Sequence, residues 1–471
     1  MSAGHATAPP PGDLVTAPRK RRWAELALLV LALVVAVGAY AAIGLAHTGE
    51  LPAELLTYGA GMTAMVGVTH LIIRFLAPYA DPVLLPCAIL LNGLGLALIH
   101  RLDLAELDGA DEGESVLLHA PRQLAFAAVG VVLFVLVLVL VRDHRRLQRL
   151  TYTSGFVGVA LLVLPLVPGL GYSFQGARIW IRLLGFNFQP GEVAKVCLIV
   201  FFAGYLVVKR DALALAGRRF LGLDLPRGRD LGPILLAWVV SLVILVFQRD
   251  LGSSLLFFGA FVVLLYVSTE RFGWVVIGGL LFAGGALFSY TRFGHVQTRV
   301  EAWLDPFADP DVYYQIVQSL YGLAYGGILG QGLGEGRPHL VPVAHSDFII
   351  ATAGEELGVT GLMAIIVVYG LLVERGMRTA LVCRDPFGKL LATGFAAVLG
   401  LQVFVVIGGV TKLIPLTGLT TPFLSYGGSS LIANWALVAL LLRISDHARR
   451  PAPAAPLVST IDDATQVVGR R

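Results

Sequence analysis

The densest run of groups able to take up protons or hold cations lies between Arg299 and Ser319. It contains Glu301, Trp303, Asp305, Asp309, Asp311, Gln315 and Gln318. Asp305-Pro306 and Asp309-Pro310 are turn-forming pairs, so three carboxylates are held close together. Carboxylates in such a turn suit proton abstraction, pairing with a cationic side chain, or binding of a divalent cation. Gly326, Gly327, Gly330, Gly332, Gly334 and Gly336 follow and demand tight backbone bends. No strand precedes them, which excludes a dinucleotide or P-loop phosphate motif. His345-Ser346-Asp347 and Glu355-Glu356 then open an apolar run. Carboxylates there are costly in lipid and are expected to face a polar cavity or a partner.

Two further segments carry polar groups. From Gly176 to Lys195, Arg178, Trp180 and Arg182 alternate with apolar residues, which suits a stretch lying at the headgroup level. Pro190 and Glu192 then read as a helix start, with Lys195 three residues on and able to pair with Glu192. From Lys412 to Ser430 the chain is broken by Pro415, Gly418 and Pro422 yet strongly apolar. Irregular backbone at membrane depth survives only where protein or a watery cavity supports it, so a re-entrant segment ending at Ser425–Ser430 is expected.

The elements that position these segments follow from composition. The chain is 56% hydrophobic and 14% charged, and its mean hydropathy is +0.78. A soluble domain carries roughly 25% charged residues, so this is an all-α, polytopic membrane protein. At about 20 apolar residues per crossing, about twelve spans are expected, at roughly 24–46, 53–76, 82–100, 122–141, 151–168, 192–208, 231–247, 252–268, 273–290, 346–373, 387–410 and 426–443. Basic residues cluster in alternate loops, at Arg19–Arg22, Arg142–Arg146, Lys209–Arg229, Arg271, Glu374–Lys389 and Arg443–Arg450. The acidic stretch 102–121 lies on the other side. The positive-inside rule therefore places both termini in the cytoplasm and 169–191, 291–345 and 411–425 outside. Residues 1–23 and 446–471 read as disordered cytoplasmic tails. Cys87, Cys197 and Cys383 show neither metal-ligand spacing nor a disulfide framework. A net charge of +4 gives no reason to expect a nucleic-acid partner. Residue chemistry alone thus describes an outward-facing cavity lined by carboxylates, a few cations and Trp. A transporter and an enzyme both fit it.

Three blocks carry a resemblance. They are Gly176–Lys195 with its Phe188-Gln189-Pro190-x-Glu192 core, Trp303–Gln318 continuing through Gly327 to Glu356, and Pro415–Ser430 ending in Ser425-Tyr-Gly-Gly-Ser-Ser430. Together with Asp250-Leu251-Gly252 they resemble the SEDS family of bacterial cell-wall polymerases, which includes RodA, FtsW and SpoVE. The likeness spans 81–445, a ten-helix core. The two helices within 24–80 are additional, and with Thr420-Thr421-Pro422 they are most like the actinobacterial RodA branch. Gly191, Arg249 and Gly408 depart from the commoner family residues and remove no carboxylate.

The resemblance implies polymerisation of lipid II into glycan strands at the outer membrane face, with a class B penicillin-binding protein as the crosslinking partner and other elongation-complex proteins nearby. Asp309 matches the family's essential loop carboxylate and is the expected base, with its pKa raised near a low-dielectric rim. Arg178, Arg182, Arg299 and Lys412 are the expected pyrophosphate contacts. Trp180, Gln318, Ser319, Glu355 and Ser425 complete the expected substrate surface, and Glu355 and Glu356 are expected to pair with Arg299. No tightly bound cofactor is expected, although Asp305 and Asp311 are candidate ligands for Mg2+ or Mn2+. The alternatives are a lipid II flippase, which would show matched halves with broken midplane helices, a non-catalytic scaffold, and a division-type polymerase like FtsW.

Overall fold

The computed structural model describes residues 20–451 except 110–115, 175–176, 184, 215–217, 221–222, 226–238, 241–242 and 244–246. Among the described residues ten helices are long and apolar enough to cross a membrane. They are α1 (Arg22–Thr48), α2 (Leu55–Leu76), α3 (Leu84–Asp108), α4 (Ala120–Leu140), α7 (Pro190–Ala214), α8 (Leu251–Thr269), α9 (Gly273–Arg292), α12 (Ile349–Val382), α13 (Pro386–Val410) and α14 (Gly428–Arg449). A shorter apolar helix, α6 (Thr151–Val163), continues as a 3-10 turn to Leu166. The remaining helices are α5 (Arg145–Gln148), α10 (Gly294–Leu304) and α11 (Tyr314–Gly326). The expected span 231–247 and the two tails lie largely outside the described residues. Gln248 is nonetheless back at the end of the bundle where α7 starts: its carbonyl accepts from Arg178 N at 3.1 Å, and its side chain donates to Leu162 O.

The all-α expectation has two local exceptions. β1 (Gly171–Phe174), β2 (Ala177–Leu183) and β3 (Phe186–Phe188) form an antiparallel sheet in that order, and β4 (Arg218–Phe220) pairs with β5 (Leu223–Leu225). The alternation of Arg178, Trp180 and Arg182 with apolar neighbours is a period of two, which fits a strand. Gly185 at φ +82 supplies the tight bend between β2 and β3. The segment read as a headgroup-level stretch is therefore a small sheet.

Helices α3, α13 and α14 form the centre, with 83%, 78% and 83% of their apolar windows buried, against 11% for α9. The central helices approach closely through small residues: Gly93 faces Ala36, Gly130 faces Trp435, and Gly376 faces Ala396. α9 instead presents Leu280, Leu281, Leu287 and Phe288 outward, as a lipid-facing helix must.

The region 291–345 is more structured than a polar loop. α11 packs along the first turns of α12, and a Cβ on Gly322 would lie 3.0 Å from Glu355 Oε2. α12 breaks at Gly358, whose φ is +67. The groups freed there are satisfied by the glycine-rich turn. Val359 N donates to Gly327 O (3.0 Å) and Thr360 N to Ile328 O (3.1 Å), while Gln331 N and Gly332 N donate to the carbonyls of Glu355 and Glu356 (3.0 Å each). Non-helical backbone at this depth is paired with other protein backbone, as a membrane requires.

Candidate functional site

Lys195 supplies a cation at the start of α7. Its Nζ donates to Glu192 Oε2 at 2.8 Å and to Gln402 Oε1 of α13 at 3.0 Å, and all three residues are buried. Gln402 Nε2 in turn donates to Thr420 O at 2.8 Å. The i, i+3 pairing expected of Glu192 and Lys195 is present, and it joins two helices to the segment 411–427.

That segment is the irregular, supported stretch expected from its Pro and Gly content. Leu419, Thr421, Phe423, Leu424 and Ser425 are buried. Its carbonyls accept from Tyr369 Oη at Pro422 (2.5 Å) and from Gln123 Nε2 at Ser425 (2.9 Å). Gln189 N donates to Ser429 Oγ at 2.9 Å. The Ser425 hydroxyl accepts from Thr421 N at 2.8 Å within its own turn. Ser425 is therefore a residue that shapes the segment rather than an exposed substrate contact. The same holds for Ser319, which is buried and donates to Ile316 O at 2.8 Å.

Arg299 joins the outer helices to this network. Its Nη1 donates to Thr417 O at 3.0 Å. Gly418 sits at φ +74, and a Cβ there would lie 3.5 Å from both Arg299 Nη2 and Asp347 Oδ2. Asp250 caps α8 by accepting from Ser253 N at 2.9 Å. Burial pushes the Asp250 carboxyl above its ordinary range, reinforced by the Glu192 charge and opposed by Ser253 and Arg299. Burial does the same to Asp347, against its hydrogen bond with Ser346 and the Arg299 charge. Burial lowers the Arg299 guanidinium, and both aspartates hold it up. The Arg299 charge thus favours the ionised form of both carboxylates, while its hydrogen bonds go to backbone carbonyls. The sequence reading assigned these aspartates no role. The available signal was that Asp250 and Asp347 each stand at the polar start of a long apolar helix, where a carboxylate needs a partner.

Glu355 and Glu356 do not pair with Arg299. Glu356 Oε1 accepts from Arg101 Nε of α3 at 2.9 Å, and Arg101 Nη2 also donates to Gly336 O at 2.6 Å. Glu355 Oε1 accepts from Arg337 N at 2.7 Å. Glu356 Oε2 also accepts from Gly334 N at 3.2 Å, so both acids serve the backbone of the glycine-rich turn. The expectation for Arg299 is corrected accordingly.

Asp309 is exposed on the turn before α11, not at a low-dielectric rim. Its Oδ1 accepts from Val312 N at 3.2 Å, and its carbonyl accepts from Tyr313 N at 3.0 Å. Among the described residues no hydrogen bond or ion pair joins it to Arg178, Arg182, Arg299 or Lys412. It is a free carboxylate on a defined turn, accessible to a sugar hydroxyl. Asp305 and Asp311 are also exposed, and Asp305 Oδ1 accepts from Phe307 N at 3.2 Å. Trp303 Nε1 donates to Lys412 O at 3.2 Å, which anchors α10 to the third segment. Gln318 is half-buried on α11. Trp180 is half-buried on β2 opposite Tyr172, and exposed Arg182 lies over the Tyr172 ring at 5.2 Å. Arg178 reaches the carbonyls of Val167 and Gly171 only at 3.5 Å, so its guanidinium is weakly held.

The chain also has measurable relatives. The family described as cell cycle proteins (FtsW, RodA, SpoVE) matches residues 81–450. A protein of Mycobacterium bovis named peptidoglycan glycosyltransferase RodA is 51% identical over 438 residues, which are 93% of either chain. Its namesake in Mycobacterium leprae is 48% identical over the same coverage. The solved structure of the rod shape determining protein RodA of Thermus thermophilus superposes with a TM-score of 0.52 and 27% identity, covering 78% of this chain and 96% of that one. A chain from a structure of a peptidoglycan synthase complex that coordinates polymerization and crosslinking superposes at 0.58 with 29% identity, covering 75% and 96%.

Proposed function

Because the chain belongs to the FtsW, RodA and SpoVE family, we propose that it is a RodA-type peptidoglycan glycosyltransferase that polymerises lipid II, with Asp309 as its base. The observation that carries the reading is the placement of that carboxylate. It is exposed on a hydrogen-bonded turn, next to a loop that Arg299 and Trp303 tie to a buried polar network.

Glycan extension joins the acceptor's sugar 4-hydroxyl to the anomeric carbon of the donor. The hydroxyl proton passes to the Asp309 carboxylate, the new C–O bond forms, and the bond to undecaprenyl pyrophosphate breaks. The leaving group carries negative charge, and exposed Arg182, loosely held Arg178 and half-buried Lys412 are the cations able to meet it. Arg299 donates to Leu416 O and Thr417 O, so its part is to hold α10 in place. A divalent cation at the pyrophosphate would be held by Asp305 or Asp311.

The positive-inside rule sets the orientation: the loop end faces outward, both termini lie in the cytoplasm, and the lipid tail runs along the bundle. A class B penicillin-binding protein is the matching crosslinking partner. The test uses purified protein and labelled lipid II. Wild type should yield glycan strands, and Asp309→Ala should yield none while remaining monodisperse.

A further inference from the structure

A second cluster of ligating side chains gathers at the opposite end of the bundle, where the turn between α4 and α5 meets the turn between α12 and α13. His144 is fully buried there, and its Nε2 lies 2.9 Å from Asp385 Oδ2. Cys383 Sγ joins them, and the three ligating atoms all lie within 4.8 Å of one another. Residue 388, in the first turn of α13, is a glycine, and this lets the helix pack directly against the three. The point where a Cβ would sit is 2.5 Å from His144 Nε2, 2.8 Å from Cys383 Sγ and 3.1 Å from Asp385 Oδ2. One nitrogen, one sulfur and one carboxylate oxygen are therefore close neighbours, with no bulkier side chain able to stand at position 388. A shift of about 1 Å would bring the three to the mutual separations of ligand atoms on tetrahedral zinc.

A second observation concerns the far side of the same ring. His144 Nδ1 is buried and has no hydrogen-bond partner. Asp143 Oδ1 stands 3.9 Å from it. With Nε2–H donating to Asp385, the other nitrogen is a stranded acceptor, which is unfavourable in a buried ring. With Nε2 on a metal, the proton moves to Nδ1 and Asp143 becomes its acceptor after a small shift. This is the carboxylate–histidine–metal arrangement that fixes the tautomer of metal ligands. The charges also suit it. Arg145 approaches the other Asp385 oxygen, Oδ1, at 3.7 Å, while Oδ2 also caps α13 by accepting from Gly388 N at 2.8 Å and keeps a lone pair for the cluster. A cavity of about 420 Å³ lined by Arg145, Cys383, Arg384, Asp385 and His447 opens onto the site. It provides an entry path and room for a water ligand.

We propose that His144 Nε2, Cys383 Sγ and Asp385 Oδ2 bind a zinc ion, with water as fourth ligand and Asp143 orienting His144. The mixed nitrogen, sulfur and oxygen set selects a borderline-soft ion over Mg2+ or Ca2+. Binding replaces the Cys383 S–H proton, which leaves to solvent. The ion joins the two turns and so staples α4 to α12 and α13 at the end remote from Asp309.

The test uses full-length protein without a histidine tag, stripped with chelator in detergent and loaded with Co2+ as the optical probe. One equivalent should bind and give a thiolate-to-cobalt charge-transfer band with tetrahedral d–d bands, and Zn2+ should displace it. Cys383→Ser should remove the charge-transfer band and weaken Zn2+ binding by at least about tenfold. Gly388→Ala, whose Cβ would push the three ligating atoms apart, should weaken it too. His447→Ala should leave both unchanged, since His447 belongs only to the alternative grouping with Asp143 and His144. Size-exclusion profiles report folding of each variant independently. No charge-transfer band in wild type, or a band that survives Cys383→Ser, would overturn the proposal. So would a band lost in well-folded His447→Ala.

Discussion

At the residue scale, the partners of the polar side chains are set by which helices meet. Asp309, Arg299 and Lys195 were legible because polar residues near membrane-spanning helices need a reason to be there. Their partners were not, because pairing depends on which helices meet. Glu356 found Arg101, 255 positions away, and not Arg299. His345 shows how far surroundings act. Burial, followed by neighbouring His119, lowers its pKa to about 4, with its ring stacked on His119 at 4.1 Å. The unfolded chain would take up that proton near pH 6.5, whereas the folded chain resists it down to about 4. The folded state therefore loses stability as pH falls through this window, by about 2 kcal/mol at pH 5. Detergent-solubilised protein should melt earlier at pH 5 than at pH 7, and His345→Gln should flatten that difference. An unchanged pH dependence in His345→Gln would show that the loss arises elsewhere.

At the element scale, long apolar runs located ten of the twelve expected spans among the described residues, while 151–168 forms only a shorter helix. The loop 291–345 was harder to read. Its glycines announced bends, but the break of α12 at Gly358 and its docking on residues 327–332 are backbone exchanges between distant segments. The sheet around Trp180 was overlooked because its alternating charges also suit a headgroup-level stretch. The buried Arg101–Glu356 pair is what clamps the glycine turn to α3. Arg101→Ala leaves a buried carboxylate unpaired and should cost about 3–5 kcal/mol. The double variant Arg101→Leu with Glu356→Leu should recover most of that. Thermal melts of both proteins decide the matter. Equal destabilisation of the two would mean that the pair's charges are not what matters. Gly358→Ala should also destabilise, because a Cβ at φ +67 would collide with Gly330 N.

At the scale of the whole molecule, glycan synthesis at the outer membrane face requires the loop end to face outward. Cysteines introduced at Phe307 and at Arg146 would lie at opposite ends of the bundle, and native Cys87 and Cys383 are buried. An impermeant thiol reagent should label Phe307→Cys in intact cells and Arg146→Cys only after permeabilisation; the reverse pattern would invert the topology. The additional α1 packs on α3 through Ala36 and Gly93, so Ala36→Leu should separate them and lower stability while sparing Asp309. The central claim is that this chain makes glycan strands through Asp309. Its most direct test is gel analysis of product from labelled lipid II and purified protein, wild type beside Asp309→Ala. Strands from wild type and none from a monodisperse Asp309→Ala variant are the predicted result. Strands of equal yield from both would contradict it.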